Sequence, residues 1–450
     1  MKTRDEALAR LDRALAEARA AGCDGADAFL AAGRSALTRF AAGAIHQNVA
    51  WERETLVLRV ANGSRIGCVH TDVLTDEGLR AAARKAAEIA ASSAEDAEFP
   101  GFVASPVVKP CAVFDEATAA ASPEDRARLV RGMIGRIGTG GAAASGSLST
   151  GAGVVAAANT AGTRQFDRST SAALNLVAMD GTAAGCATWS GARLGELDAN
   201  GRAAFALGKC LASRGAAGLD PGEYAVVLEP AATATLVEFL AYLGFGAQRM
   251  QQGRSCLQGK IGQRVADECV SIVDDARDPA GLPFPFDAEG VPTRRVELIT
   301  KGVAKGVVHD TRTAAKEGVE STGHAAPAPN AWGPFPEHLA MAPGDSSLEE
   351  MIASTGRGLL VSRFHYTNVA EPSTATITGM TRYGLFEIAG GEVARPVRNL
   401  RFTQSVLAAL ADVEAVGRAR ERFGGDWGSG AGVVPALRIA RFRFTGRSDH

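Results

Sequence analysis

The sequence predicts a mixed α/β protein of the α+β kind, with helices packed on an antiparallel sheet in its first half and a β-rich second half. Three observations carry this. Apolar residues recur at helical spacing near the start, where Leu8, Leu11, Leu15 and Ala18 fall on one face. Asn62-Gly63 then stands between two branched-aliphatic runs, and this dipeptide best tolerates positive φ at the centre of a tight hairpin. The last third alternates short apolar runs with turn residues.

The elements follow in order. After the first helix, short runs at 27–31, 36–41, 45–51, 55–61 and 65–70 predict five antiparallel strands. A second helix starts at Thr75, whose hydroxyl can cap the free amides ahead of Asp76 and Glu77, and runs to about Ala91. Residues 92–121 form a linker without periodicity, and Ser122-Pro123-Glu124-Asp125 restarts a helix with a cap, a first-turn proline and two acids. Runs at 153–158, 163–167, 171–179 and 184–189 predict a β-meander, followed by a helix over 200–213. Gly, Asp and Pro cluster at 215–222 and mark a boundary. Beyond it come a strand at 224–228, an apolar helix at 231–243, proline-rich loops at 278–287 and 325–343, strands at 358–366, 374–379, 385–389 and 437–444, and a helix at 405–415. No internal repeat is visible in the sequence.

Composition narrows the function. The 450 residues carry 48 Lys plus Arg against 50 Asp plus Glu, a net charge of -2 without a basic block, which argues against nucleic acid as a partner. The longest uncharged run, 137–163, is Gly, Ala, Ser and Thr with few larger apolar residues, so no membrane span is expected. The charged first residues lack a secretory core, and the seven cysteines are scattered without a CxxC pair; both point to a cytoplasmic location.

Motifs for chemistry are sparse. Gly253 to Ile261 has five residues between its glycines and Ile where a phosphate loop needs Ser or Thr, and neither a Gly-x-Ser-x-Gly elbow nor a dinucleotide fingerprint occurs. The seven histidines never recur three or four apart, the spacing that would put two ligands on one helical face. His309 and His324 are the best placed, because they flank the polar, glycine-bounded segment 311–323, which could line a cleft. Asp274-Asp275 follows a strand-like run, but adjacent carboxylates point apart and one commonly caps a turn.

Taken together, several strings resemble the TldD/PmbA family. They are Gly259-Lys260-Ile261-Gly262-Gln263-Arg264-Val265-Ala266 leading to Ser271-Ile272-Val273-Asp274-Asp275; Phe286-Asp287-Ala288-Glu289-Gly290-Val291-Pro292-Thr293; Ser321-Thr322-Gly323; and Thr378-Gly379-Met380-Thr381-Arg382 with Phe386-Glu387-Ile388 and Gly391-Glu392-Val393. The resemblance implies a two-domain fold, 1–214 and 215–450, whose catalytic members are zinc metallopeptidases working as heterodimers. Their His-Glu-x-x-x-His helix supplies two zinc ligands and the base, and a cysteine near the C-terminus supplies the third ligand. Here the aligned positions are Glu238, Phe239 and Leu243; no cysteine follows Cys269, and the matching loop reads Gly425-Asp426-Trp427-Gly428-Ser429-Gly430. Leucine cannot ligate zinc.

The chain thus resembles the TldE/PmbA branch, which lacks the zinc motif. That resemblance implies no metal in this chain, zinc in a TldD-like partner, and an enclosed cleft for peptides or unfolded polypeptides. Tyr242, Arg249, Gln251, Gln252, His309 and His324 are the candidate cleft residues. Alternative expectations are a scaffold reused in peptide or secondary-metabolite tailoring and a homo-oligomeric peptide-binding protein. The apolar helix carrying Leu236, Tyr242 and Phe245 has too little polar face to stand in water, so it belongs in the core or under a second chain.

Overall fold

A computed structural model describes residues 1–424 and 431–448. Helix α1 (Arg4–Ala20) starts at a capping box, in which the Thr3 hydroxyl accepts from the Glu6 amide and the Glu6 carboxylate accepts from the Thr3 amide. It buries Leu11, Ala14, Leu15 and Ala18 against strands β1 (Gly25–Ala41) and β2 (Ala44–Asn62), which β3 (Arg65–Thr71) extends. The five expected strands are therefore three. The polar residues read as breaks remain in the ladder, with Gly33 opposite Arg53 and Arg34 opposite Glu52, because backbone pairing does not depend on side-chain polarity. The hairpin also sits one residue later than expected: Asn62 pairs with Arg65, so Gly63-Ser64 makes the turn, with positive φ at Gly63.

Helix α2 (Asp76–Ser92) begins where the Thr75 hydroxyl accepts from the Gly78 amide. The linker is irregular but strapped down. The Asn159 amide donates to the Val103 carbonyl, and the Gln165 amide to the Pro106 carbonyl. After the short α3 (Glu116–Ala119), the Ser122 box opens α4 (Pro123–Gly138). Then come β4 (Ala143–Asn159), β5 (Arg164–Asp180), β6 (Ala183–Gly191) and α5 (Ala199–Ala212). Three long strands stand where four shorter runs were expected.

The first sheet is antiparallel in the order β3-β2-β1-β4-β5-β6. Its connectivity contains a repeat that the sequence hides: α1-β1-β2-β3-α2 and α4-β4-β5-β6-α5 are the same unit, joined through β1 and β4. The side chains filling the two units differ. The first packs Leu30, Leu56, Leu58 and Val60 beneath its helices, whereas the second packs Leu148, Leu174 and Leu176 among many alanines. One detail recurs: Gly67 is the third residue of β3 and Gly185 the third of β6. A Cβ on Gly67 would meet the Ala86 carbonyl oxygen of α2 at 1.9 Å, and one on Gly185 would meet that of Ala206 in α5 at 2.3 Å. In both units the helix backbone rests directly on the strand.

The second sheet takes its strands from 222–447. Strand β7 (Gly222–Leu228) leads into α6 (Pro230–Gly244) and α7 (Ala247–Gln251). Then follow β8 (Ile272–Asp274), β9 (Val296–Thr300), β10 (Val303–Ala304), α8 (Thr311–Glu317), β11 (Leu339–Met341) and α9 (Leu348–Ala353). The chain continues through β12 (Arg357–Glu371), β13 (Thr376–Ala389), β14 (Glu392–Pro396), β15 (Leu400–Ser405), α10 (Val406–Ala411), β16 (Val413–Gly424) and β17 (Ala431–Arg447). Pairings run β7-β12-β13-β15-β17 and return from β17 to β7, closing a ring. Phe364, Phe402, Phe442 and Phe444 pack together in its core, with Phe364 and Phe402 centroids 4.5 Å apart. The helix expected to reach residue 415 ends at Ala411, because from Val413 the chain pairs with β17. Among the described residues no helix is long and apolar enough to cross a membrane.

The two glycines give a test of the repeat. Gly67→Ala and Gly185→Ala are each expected to cost about 1–3 kcal/mol by overpacking. Gly132→Ala, in open space on α4, should instead add about 0.5–1 kcal/mol. Urea unfolding of the three variants checks the contrast.

Candidate functional site

Helix α6 is the natural place to begin. Pro230 occupies its first turn, and Leu236, Val237, Phe239, Leu240, Ala241 and Leu243 are all buried, so the helix belongs to the core of this chain. Of the three positions aligned with the zinc motif, Phe239 and Leu243 are enclosed in that core and offer no donor atom. Glu238 alone faces a cavity, a narrow one of about 50 Å³ lined also by Phe335, Glu337, Arg363 and Phe423. Among the described residues, no three His, Cys, Asp or Glu side chains are grouped to hold a metal ion. Zinc therefore does not fit this helix. The loop at 425–430, matched with the third ligand, lies outside the described residues.

A polar network lies beside it, on loops between β8 and β11. Asp274, fully buried, accepts from the His338 amide at 2.8 Å and bonds His324 Nε2 at 2.9 Å. His324 Nδ1 meets the Thr322 hydroxyl at 2.9 Å, and the same hydroxyl accepts from the His309 amide at 2.7 Å. Its single proton goes to the His324 ring or to the His309 carbonyl oxygen, 3.0 Å away. Asp275 points elsewhere and closes a turn by accepting from the Arg277 amide, as expected for adjacent acids. His309 is buried, its Nδ1 without a hydrogen-bond partner among the described residues, and its Nε2 is 3.9 Å from Glu317.

The next turn anchors the network to the first sheet. Asp287 accepts from the amides of Glu289, Val291 and Ala325, so one carboxylate ties the turn to the residue after His324. Burial and the neighbouring Glu289 raise its pKa well above the usual carboxylate range, against those three amides. Glu289 accepts from Arg59 of β2 at 3.0 Å and from the Thr311 amide that opens α8. Arg59 also pairs with Asp27 of β1. Asp27 and Asp310 are both raised by burial.

Three cavities meet at Glu337. It borders the Glu238 cavity, a second of about 190 Å³ with Phe29, Asp287 and His324, and a third of about 410 Å³ with Ser171, Arg193 and Arg422. His338 and Phe284 line the last two, their rings stacked at 14°. Although Glu337 reaches solvent within the cleft, the surrounding protein desolvates it and raises its pKa; Asp274 adds to this and His324 opposes it. Burial also lowers the pKa of His338 and His309.

The structure brings some of the predicted residues together. His309 and His324 share Thr322. Arg249 lies 4.3 Å above the Tyr242 ring. Gln251 donates to the Thr313 carbonyl and to Glu317, so it braces α8 instead of opening to the cleft. Gln252 is exposed and accepts from Arg254 two residues on. Sequence reasoning missed Glu337 and Trp332, which sit in a proline-rich loop without periodicity; it named Asp287 within a family string without giving it a role.

Comparison with known proteins places this geometry. The sequence model of the PmbA/TldA metallopeptidase C-terminal domain matches residues 221–446, and that of PmbA/TldA metallopeptidase domain 1 matches 26–90. The chain belongs to the PmbA/TldD metallopeptidase family. A metalloprotease of Methanothermobacter thermautotrophicus is 29% identical over 203 residues, 44% of this chain and 43% of that protein. One of Archaeoglobus fulgidus is 31% identical over 221 residues, 48% of this chain and 50% of that protein. The chain thus spans about half the length of the curated relatives it matches. TldE from Thermococcus kodakarensis superposes with a TM-score of 0.88 over 97% of this chain and 100% of that one, and at 20% identity this establishes the shared fold.

Two tests follow from the site. Arg59→Met leaves Asp27 and Glu289 buried without their cation and is expected to cost about 3–5 kcal/mol in urea unfolding, most of it recovered when Asp27→Asn and Glu289→Gln are added. The lowered histidines set a pH dependence. As pH falls below about 6.5, the unfolded chain binds protons before His309 and His338 do in the fold, so stability present above that pH is lost as pH falls through their folded values. Glu337, raised, acts with the opposite sign: its contribution is present below its ordinary 4.5 and is lost as pH rises. Between about pH 7.5 and 5.5 the urea midpoint of the wild-type chain should fall relative to that of the His309→Gln/His338→Gln variant, which lacks the histidine contribution but keeps the raised Asp27, Asp287, Asp310 and Glu337.

Proposed function

We propose that this chain is the zinc-free, TldE/PmbA-like subunit of a heterodimeric cytoplasmic peptidase. In this reading it shapes the cleft that receives peptides or unfolded polypeptides, while a TldD-like chain carries zinc and the catalytic base. The supporting observation is α6, where Phe239 and Leu243 are core residues without donor atoms and, of the three positions aligned with the zinc motif, Glu238 is the one that faces the cavity. Zinc hydrolysis needs three protein ligands, a bound water and an oriented base, and one carboxylate cannot replace them. The branching cleft around Glu337 agrees with the reading, since its polar and aromatic walls suit an extended peptide with both backbone groups and side chains to satisfy.

The test is co-expression with a TldD-like chain from the same genome. The expected result is co-purification and peptide cleavage that a zinc chelator abolishes, whereas the chain alone holds less than stoichiometric zinc and cleaves nothing. Stoichiometric zinc and cleavage by the chain alone, both lost in Glu238→Gln or His309→Gln, would overturn the proposal.

A further inference from the structure

Arg249 is 9% exposed, yet among the described residues no carboxylate pairs with it and no acceptor takes a hydrogen bond from it. Its guanidinium lies over the Tyr242 ring, 4.3 Å from the centroid, and 5.8 Å from that of Trp332. The two rings are 6.0 Å apart and both open to solvent, Trp332 at 62%. Stacking engages only the face of a guanidinium. The N–H donors around its edge stay available, and none of its nitrogens is sealed from solvent.

Ring contacts attract a cation but do not neutralise it. An arginine whose side chain is this far buried is ordinarily matched by an anion. Among the described residues the chain supplies none.

The surroundings are built rather than incidental. Gln248 of α7 donates to the Ala331 carbonyl at 2.9 Å, Asn330 accepts from the Trp332 amide at 2.9 Å, and its own amide donates to the Gly333 carbonyl at 2.7 Å. Gly333, at φ 74°, lets this loop pass where a Cβ would lie 2.4 Å from that of Gln248. The place neighbours the Glu238 cavity along the chain. Tyr242 is one turn from Glu238 on the same face of α6, and Trp332 is three residues before Phe335, which lines the Glu238 cavity.

We propose that Arg249, Tyr242 and Trp332 form a carboxylate-binding subsite, in which the guanidinium edge takes a carboxylate of the bound peptide and the two rings cover the residue that bears it. The fork of a guanidinium suits a planar, two-oxygen partner. The carboxylate can be the peptide's C-terminus or an acidic side chain. This rests on the peptide-cleft reading above.

Isothermal titration of the full chain separates the cases, using an N-acetylated tetrapeptide as free acid, the same peptide as C-terminal amide, and an amide carrying an internal glutamate. The wild-type chain is expected to bind the free acid or the glutamate amide at least about tenfold tighter than the plain amide, and whichever of the two gains identifies the carboxylate. Arg249→Gln should remove that gain and leave the plain amide unchanged, while Arg249→Lys, which keeps the charge without the fork, should retain part of it. Tyr242→Ala and Trp332→Ala should weaken all three. Equal binding of the three peptides by the wild-type chain overturns the subsite whether or not the variants fold, and leaves the peptide cleft standing. A gain that persists in Arg249→Gln also overturns it. No binding of any peptide overturns both.

Discussion

The cleft depends on one cation, Arg59. It rises from β2 of the first sheet, pairs with Asp27 on β1, and reaches Glu289 on a turn of the second half. A buried carboxylate pair without that charge would repel itself in a poorly solvating interior, so this contact fixes where the turn can sit. Glu289 in turn accepts from the first amide of α8, and Asp287, two residues earlier, holds the amide after His324. From Arg59 to His324 the order is carried by charge-assisted bonds, ion pairs at Arg59 and carboxylates holding backbone amides beyond it.

Regular elements were legible because their signals are local. Thr75 and Ser122 cap the helices they were expected to cap, since capping needs a hydroxyl and an amide three residues on. Strand lengths were not legible. Gly33 and Arg34 look like a break in isolation and become ordinary ladder residues only when Glu52 and Arg53 are brought opposite. The repeat in the first sheet was hidden for a related reason: a helix, a meander and a helix can be filled by leucines or by alanines, and the shared requirement is a glycine under each closing helix.

The site was legible where chemistry accompanied pattern and lost where it did not. His309 and His324 were singled out for flanking a polar segment, and Thr322 within that segment joins them. Asp274 was read as half of a pair, whereas its partner is His324, fifty residues away. Such a contact has no trace in spacing. Glu337 and Trp332 lie in a loop of prolines and small residues, and their importance comes from three cavities and one arginine that the fold gathers around them.

The burial of α6 decides what the helix can contribute to the cleft. A polar group at the position of Phe239 or Leu243 would be desolvated in the core and would need a partner there. With apolar residues in both places, the helix packs tightly and presents its polar groups from Thr235 and from the row of Glu238 and Tyr242, one turn apart. That row faces the loop carrying Trp332, Phe335 and Glu337, so carboxylate, phenol and indole are presented along one wall. A wall of this kind has donors, acceptors and ring faces but no electrophile of its own.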